Sequence, residues 1–214
     1  MEGITGSQAR LMKKSPKPRL HKVAEADFPS QFGAFRIYGF EGKWGDRAEE
    51  AVVLKMGDLA SGGPPLVRIH SQCLTGDVFH SLRCDCRAQL EIALTRVAGE
   101  GRGLLIYEHQ EGRGIGLLNK LRAYELQDQG ADTVEANERL GFGSDLRNYQ
   151  LPGAILQYFG LRQIRLLSNN PEKVEAVERA GVQVTERVPC LADVVDTRKA
   201  YLETKRDRMG HLLE

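Results

Sequence analysis

Three of the chain's four cysteines fall within fourteen residues, Cys73-Leu-Thr-Gly-Asp-Val-Phe-His-Ser-Leu-Arg-Cys84-Asp-Cys86. Thiolates are strong zinc ligands, and a C-x10-C-x-C cluster can close three corners of a tetrahedron. Cys84 and Cys86, one residue apart, point to the same side of an extended or turning backbone. Cys190 lies far along the chain, so the fourth corner needs another donor. Three readings stay open on this ground. The cysteines are small buried core residues. Alternatively, His70 or His80 completes a closed structural zinc site. In the third reading, water completes an open catalytic site, because zinc brings the pKa of bound water to about 7. A disulfide is disfavoured, since a Cys84–Cys86 bond would strain its geometry and no secretory signal opens the sequence.

A second kind of chemistry is suggested by the turn Glu111-Gly-Arg-Gly-Ile-Gly116. Free backbone N–H groups at the start of a helix hold phosphate, and Arg113 adds a bidentate donor. The turn is neither a P-loop nor a dinucleotide fingerprint, and its plain reading is a tight turn with a surface arginine. Asp145 and Arg147 sit two apart in a predicted loop and could face one pocket or form a surface ion pair. Ser168-Asn-Asn-Pro-Glu-Lys173 lies between a predicted strand and helix, a place for ligand contacts or simply a capped helix start.

The elements that must position these groups follow from periodicity. From Ala34 to His70 the signals are β: Gly33–Phe40 alternates, Ala51–Met56 is β-branched, and Leu66–His70 leads into the cysteines. These predict antiparallel strands of a small sheet or barrel. After Cys86 the period becomes helical, with Leu90, Ala93, Leu94 and Val97 on one face of a helix of about fourteen residues. A strand at Leu104–Tyr107 follows, then a helix from Leu117 to a stop at Gly130. A short helix over Thr133–Leu140 has Thr133 as its predicted N-cap. Residues 152–159 are predicted helical, Ile164–Leu167 a strand, Pro171 onward a helix and Val182–Val188 a strand. A charged helix is expected over Arg198–Arg208. The predicted class is therefore mixed α/β, antiparallel strands first and alternating strands and helices after.

The chain has 214 residues, enough for a sizeable core, and a net charge of +1 with 28% charged residues. That balance argues against a nucleic-acid partner held by bulk charge. No run of about eighteen apolar residues suggests a membrane span. With cysteines and no export signal, the expected location is cytoplasmic. Residues 1–24 are basic and broken by Pro16 and Pro18, which predicts a disordered tail, with 25–214 forming one domain.

Six motifs in one order resemble GTP cyclohydrolase II of riboflavin biosynthesis. They are Arg68-Ile-His-Ser-Gln-Cys73-Leu-Thr-Gly-Asp, Leu82-Arg-Cys-Asp-Cys86, Glu111-Gly-Arg-Gly-Ile-Gly, Lys120-Leu-Arg-Ala-Tyr124, Asp132-Thr-Val-Glu-Ala-Asn137 and Ser168-Asn-Asn-Pro-Glu-Lys173. The resemblance runs from about Phe35 to His211. It implies hydrolysis of GTP with release of formate and pyrophosphate, zinc held by Cys73, Cys84 and Cys86, magnesium with the triphosphate, and a homodimer. It also implies GTP contacts at Arg68, Ile69, His70, Ser71, Gln72, Gln89, Glu111, Gly112, Arg113, Thr133, Ser168 and Lys173. Asp145 matches the family's proton acceptor, Arg147 its nucleophile at the α-phosphate, and Tyr124 a tyrosine tied to ring opening. A guanidinium is protonated at ordinary pH and has no free lone pair, so Arg147 could instead stabilise charge. Two positions depart from the family: Gln72 stands where Glu is usual and Arg87 where Gly is usual. The alternatives are a variant stopping at the formylated ring-opened intermediate, a non-catalytic nucleotide-binding relative and a structural-zinc nucleic-acid module.

Overall fold

The computed structural model describes residues 19–44, 47–143, 145–192, 206–208 and 210–212. Seven strands form one sheet: β1 (Arg19–Ser30), β2 (Gly33–Trp44), β3 (Arg47–Met56), β4 (Leu66–Ser71), β5 (Gly103–Glu108), β6 (Gln163–Leu167) and β7 (Gln183–Val188). Their spatial order is β1-β2-β3-β5-β4-β6-β7. The first three form an antiparallel meander, and β3 pairs antiparallel with β5. From β5 onward, β4, β6 and β7 run parallel.

The helices are α1 (Leu74–Asp77), α2 (Cys86–Glu100), α3 (Leu117–Asp128), α4 (Thr133–Arg139), α5 (Gln150–Tyr158) and α6 (Pro171–Arg179), with a 3-10 turn at Glu111–Gly114. Strand and helix do alternate after the cysteines, as the periodicity predicts. One expectation fails: β4 was expected to be antiparallel, and it pairs parallel on both sides. The reason is the crossover through α2, which returns the chain to the same end of the sheet before β5 begins. The strands also form an open sheet rather than a barrel.

Two further boundaries move. The basic tail expected through residue 24 ends earlier, because β1 starts at Arg19 and pairs with β2 over its whole length. Residues 1–18 lie outside the described residues, as does most of the helix expected over Arg198–Arg208, of which 206–208 are helical. The N-cap of α4 is Asp132 rather than Thr133; its carboxylate accepts from the backbone N–H of Val134 and Glu135.

The period-2 pattern of β4 divides its side chains between two cores. Val67 and Ile69 pack with Leu104, Ile106, Leu151, Ile155 and Val177 on the face covered by α5 and α6. Leu66 packs with Leu105, Ala93 and Val97 on the face covered by α2. Each such aliphatic side chain contributes about 1.5–3 kcal/mol through burial. Arg68 and His70 share Leu66's face, so the same alternation turns both toward the cysteine segment.

Candidate active site

The carboxyl ends of the parallel strands β4, β5 and β6 gather Ser71, Glu108 and Ser168 at one edge of the sheet. Ligands bind at this end of open α/β sheets, and a cavity of about 420 Å³ opens there. That is a volume suited to a nucleotide-sized ligand.

At one part of its wall lie the three cysteines. Ser71 ends β4, and the chain turns at Cys73 into α1, while Cys84 and Cys86 enter α2. The three sulfurs lie within 4.8 Å of one another. Cys73 Sγ is 3.8 Å from Cys84 Sγ, the edge expected of a tetrahedron with metal–sulfur bonds of about 2.3 Å. Among the described residues no histidine joins the cluster. His70 Nε2 instead faces the Asp77 carboxylate at 3.2 Å, and His80 is exposed. The donor set therefore fits zinc with an open fourth position, not a closed site with either histidine. Hydrogen bonds from Cys84 and Cys86 pull the Cys73 thiol down, and that same contact pushes the other two up. The second and third thiols thus resist ionising beside the first, a repulsion that a bound cation would relieve.

Asp77 braces the loop. It accepts from the Cys73 backbone N–H at 3.0 Å and from the Tyr107 hydroxyl at 2.8 Å. Lys120 donates to Cys73 Sγ at 3.1 Å, to Thr75 at 2.9 Å and to Glu111 at 2.8 Å. Burial works against its charge, but Cys73 and Glu111 more than offset this and hold its pKa above the usual range. Tyr124, four residues on and on the same helix face, reaches Thr75 at 3.3 Å and carries Arg83 over its ring at 4.9 Å.

The glycine turn folds tightly against the segment after α4. Gly112 and Arg113 both have left-handed backbones, with φ of 61° and 59°. The Leu146 N–H donates to the Arg113 carbonyl at 3.0 Å. Both terminal nitrogens of Arg113 are buried with no protein partner. Buried donors of this kind call for an acceptor, and an anion in the cavity would supply one. Lys173 Nζ donates to the Ile69 carbonyl at 2.8 Å, and Arg68 donates to Gln89 at 2.6 Å.

Of the residues singled out by sequence, Arg68, His70, Ser71, Gln72, Gln89, Glu111, Gly112, Arg113, Tyr124, Thr133, Arg147, Ser168 and Lys173 line this cavity beside the three cysteines. Two do not. Ile69 is fully buried in the core, as its place between Arg68 and His70 requires. Asp145 lies behind Arg147 and accepts from its Nε at 2.9 and 3.1 Å. Burial raises the Asp145 pKa, but Arg147 more than offsets this and lowers it below the usual range. Arg87 does not enter the cavity: it donates to the Asp77 carbonyl at 2.7 Å and to Glu91 at 2.6 Å, closing the end of α1. Sequence reasoning gave no role to Asp77, Gln110 or Lys120. Asp77 and Lys120 did carry a signal, since each stands in a motif that bears the family resemblance, and Lys120 is spaced i,i+4 from Tyr124 on a helix.

A three-sulfur cluster that could hold a metal ion shares one cavity with an arginine-bearing, glycine-lined turn. The family description GTP cyclohydrolase II matches residues 21–189. A GTP cyclohydrolase-2 from Azotobacter vinelandii is 53% identical over 191 residues, covering 89% of this chain and 91% of its own. Those from Actinobacillus succinogenes and Escherichia coli O9:H4 are each 51% identical over 195 residues, covering 91% of this chain and 89% and 98% of their own. The chain belongs to the GTP cyclohydrolase II family.

Proposed function

We propose that the protein hydrolyses GTP, opening its imidazole ring with release of formate and pyrophosphate. The product is 2,5-diamino-6-(5-phosphoribosylamino)pyrimidin-4(3H)-one, and the reaction is the first step of riboflavin biosynthesis. The observation that carries this reading is the unpartnered, buried guanidinium of Arg113 in the same cavity as three converging thiols. Cys73, Cys84 and Cys86 would hold zinc, which would supply a water activated at neutral pH.

The remaining roles belong to the chain. Arg113, Lys173 and Arg147 receive the triphosphate, which magnesium accompanies. Asp145 fixes Arg147 with its Nη1 turned to Ser71, at 3.4 Å. Burial works against the charge of Arg147, but Tyr149 and Asp145 more than offset it and hold its pKa above the usual range. A guanidinium held charged in this way suits stabilising charge at the α-phosphate better than attacking phosphorus. Tyr124, above Thr75 and close to the sulfurs, orients the reacting base. The working unit is a cytoplasmic homodimer. The exposed apolar side chains of Val78, Phe79 and Leu82 beside the cysteine loop support a covered face there, and no helix among the described residues is long and apolar enough to cross a membrane.

Incubating zinc-loaded protein with GTP and magnesium, and following formate and pyrophosphate together, tests this. Equal release is expected. Pyrophosphate without formate would replace the full reaction with the truncated one, and Gln72 on the cavity wall would be the first residue to restore to Glu. Cys84→Ser is expected to abolish ring opening and metal retention; full activity with no metal would defeat the zinc assignment.

A further inference from the structure

One carboxylate at this edge of the sheet has no part in the scheme above. Glu108 ends β5 and is 1% exposed. Its Oε1 accepts from Gln110 at 3.0 Å and its Oε2 from Ser71 Oγ at 3.3 Å. Ser71 Oγ is also 3.4 Å from Arg147 Nη1 and 3.4 Å from Lys173 Nζ. A buried carboxylate, a guanidinium and an amine thus meet at one hydroxyl. The hydroxyl, Arg147 and Lys173 line the cavity, and Glu108 lies behind them. The charged and titratable groups that face Glu108 are Lys173 from α6, Arg147 and Tyr149 from the 145–149 segment, and Glu49 from β3. A desolvated carboxylate stays ionised only while nearby cations offset the cost of burial. An anion that draws on those cations from the cavity side removes part of that offset.

We propose that Glu108 takes up a proton when a polyphosphate binds beside Ser71, because the phosphate draws on the charge of Arg147 and Lys173 that otherwise favours the carboxylate form. This rests on the reading that the cavity holds the triphosphate of GTP. Burial already pushes the free carboxyl up to about 7, against the pull of Lys173 and Arg147. Weakening that pull raises it further, and the proton comes from solvent. A competing proton acceptor at the same hydroxyl is Lys173, whose pKa is pushed well down by burial, Arg68 and Arg147. By linkage, a site that gains a proton on binding loses affinity as pH rises, by up to about tenfold per unit.

Calorimetric titration of the full chain with magnesium and an α,β-methylene analogue of GTP tests this. The titrations use about pH 8 and two buffers of different ionisation enthalpy. Wild type is expected to take up a proton, approaching roughly one per site. Glu108→Gln is expected to bind with no uptake and with affinity flat between about pH 7 and 9. Glu108→Met is the second variant should the amide not fold. Binding without uptake overturns the proposal. So does uptake that persists in the variants, which would place the proton on Lys173. No binding by wild type defeats the GTP reading itself, and this inference with it.

Discussion

Gly76 shows how finely the sulfur cluster is set. A Cβ at this position would lie 2.8 Å from Cys84 Sγ and 3.1 Å from Cys73 Sγ, inside contact distance. The position needs glycine for space: α1 must pass directly over the thiols. Gly76→Ala is therefore expected to lower metal affinity by at least about tenfold, near 1.4 kcal/mol, with a smaller change in melting temperature. Competition with a chromogenic chelator measures it; unchanged affinity would mean that α1 yields freely. Arg147 is the second residue on which the proposed chemistry would turn. Its guanidinium is held by Asp145 and turned toward Ser71. Arg147→Ala is expected to reduce pyrophosphate release about 10²–10³-fold, the effect of removing a preorganised charge. Unchanged turnover would leave it a structural ion pair only.

The glycine turn and the 145–149 segment behave as one unit. Gly114 has φ of +90°, and a Cβ there would meet the Leu146 backbone at 3.1 Å. Gln110 clamps the same segment from both sides, donating to the Asn148 carbonyl at 2.6 Å and accepting from its N–H at 3.0 Å. Gln110→Leu removes both bonds and its bond to Glu108, and leaves part-buried backbone groups unpaired, a cost of up to about 1–3 kcal/mol. The loss is expected to appear mainly in kcat, since Arg147 rides on this segment. Steady-state kinetics beside thermal melts would separate the two, and a drop in stability alone would disprove the coupling. The helices flanking this unit were readable because their periodicity is local, and the cysteines because their spacing is short. β1 was not: most of its residues are exposed, so it lacks the apolar alternation that marks a half-buried strand. Nor was the parallel direction of β4, which depends on where a fifteen-residue helix returns the chain. Asp77 and Glu108 read in sequence as ordinary carboxylates. Only the assembled sheet buries them, and burial is what gives them consequences.

Burial of Glu108 reaches beyond the cavity to the stability of the whole chain. Its carboxyl titrates near 4.5 when unfolded and near 7 when folded. Below about 4.5 both states hold the proton, and the residue adds no pH-dependent penalty. Between the two values the unfolded chain releases its proton first, so folding weakens as pH rises; above about 7 the penalty is complete. A separation of this size corresponds to at most about 3 kcal/mol. Asp145 works in the opposite sense. Arg147 holds its folded pKa below the unfolded value, so its contribution is present at neutral pH and lost as acid protonates it. Glu108→Gln isolates the first effect, because it keeps the side-chain volume and cannot ionise. The variant is expected to be more stable than wild type at about pH 8, by up to about 3 kcal/mol, and to approach wild type at about pH 5. Urea midpoints of both proteins at the two pH values measure this without substrate or metal. A difference that is the same at both would show that Glu108 does not titrate in this window. A difference confined to the higher pH would mean that the carboxyl end of β5 stores a charge the fold holds at a cost, one that protonation removes.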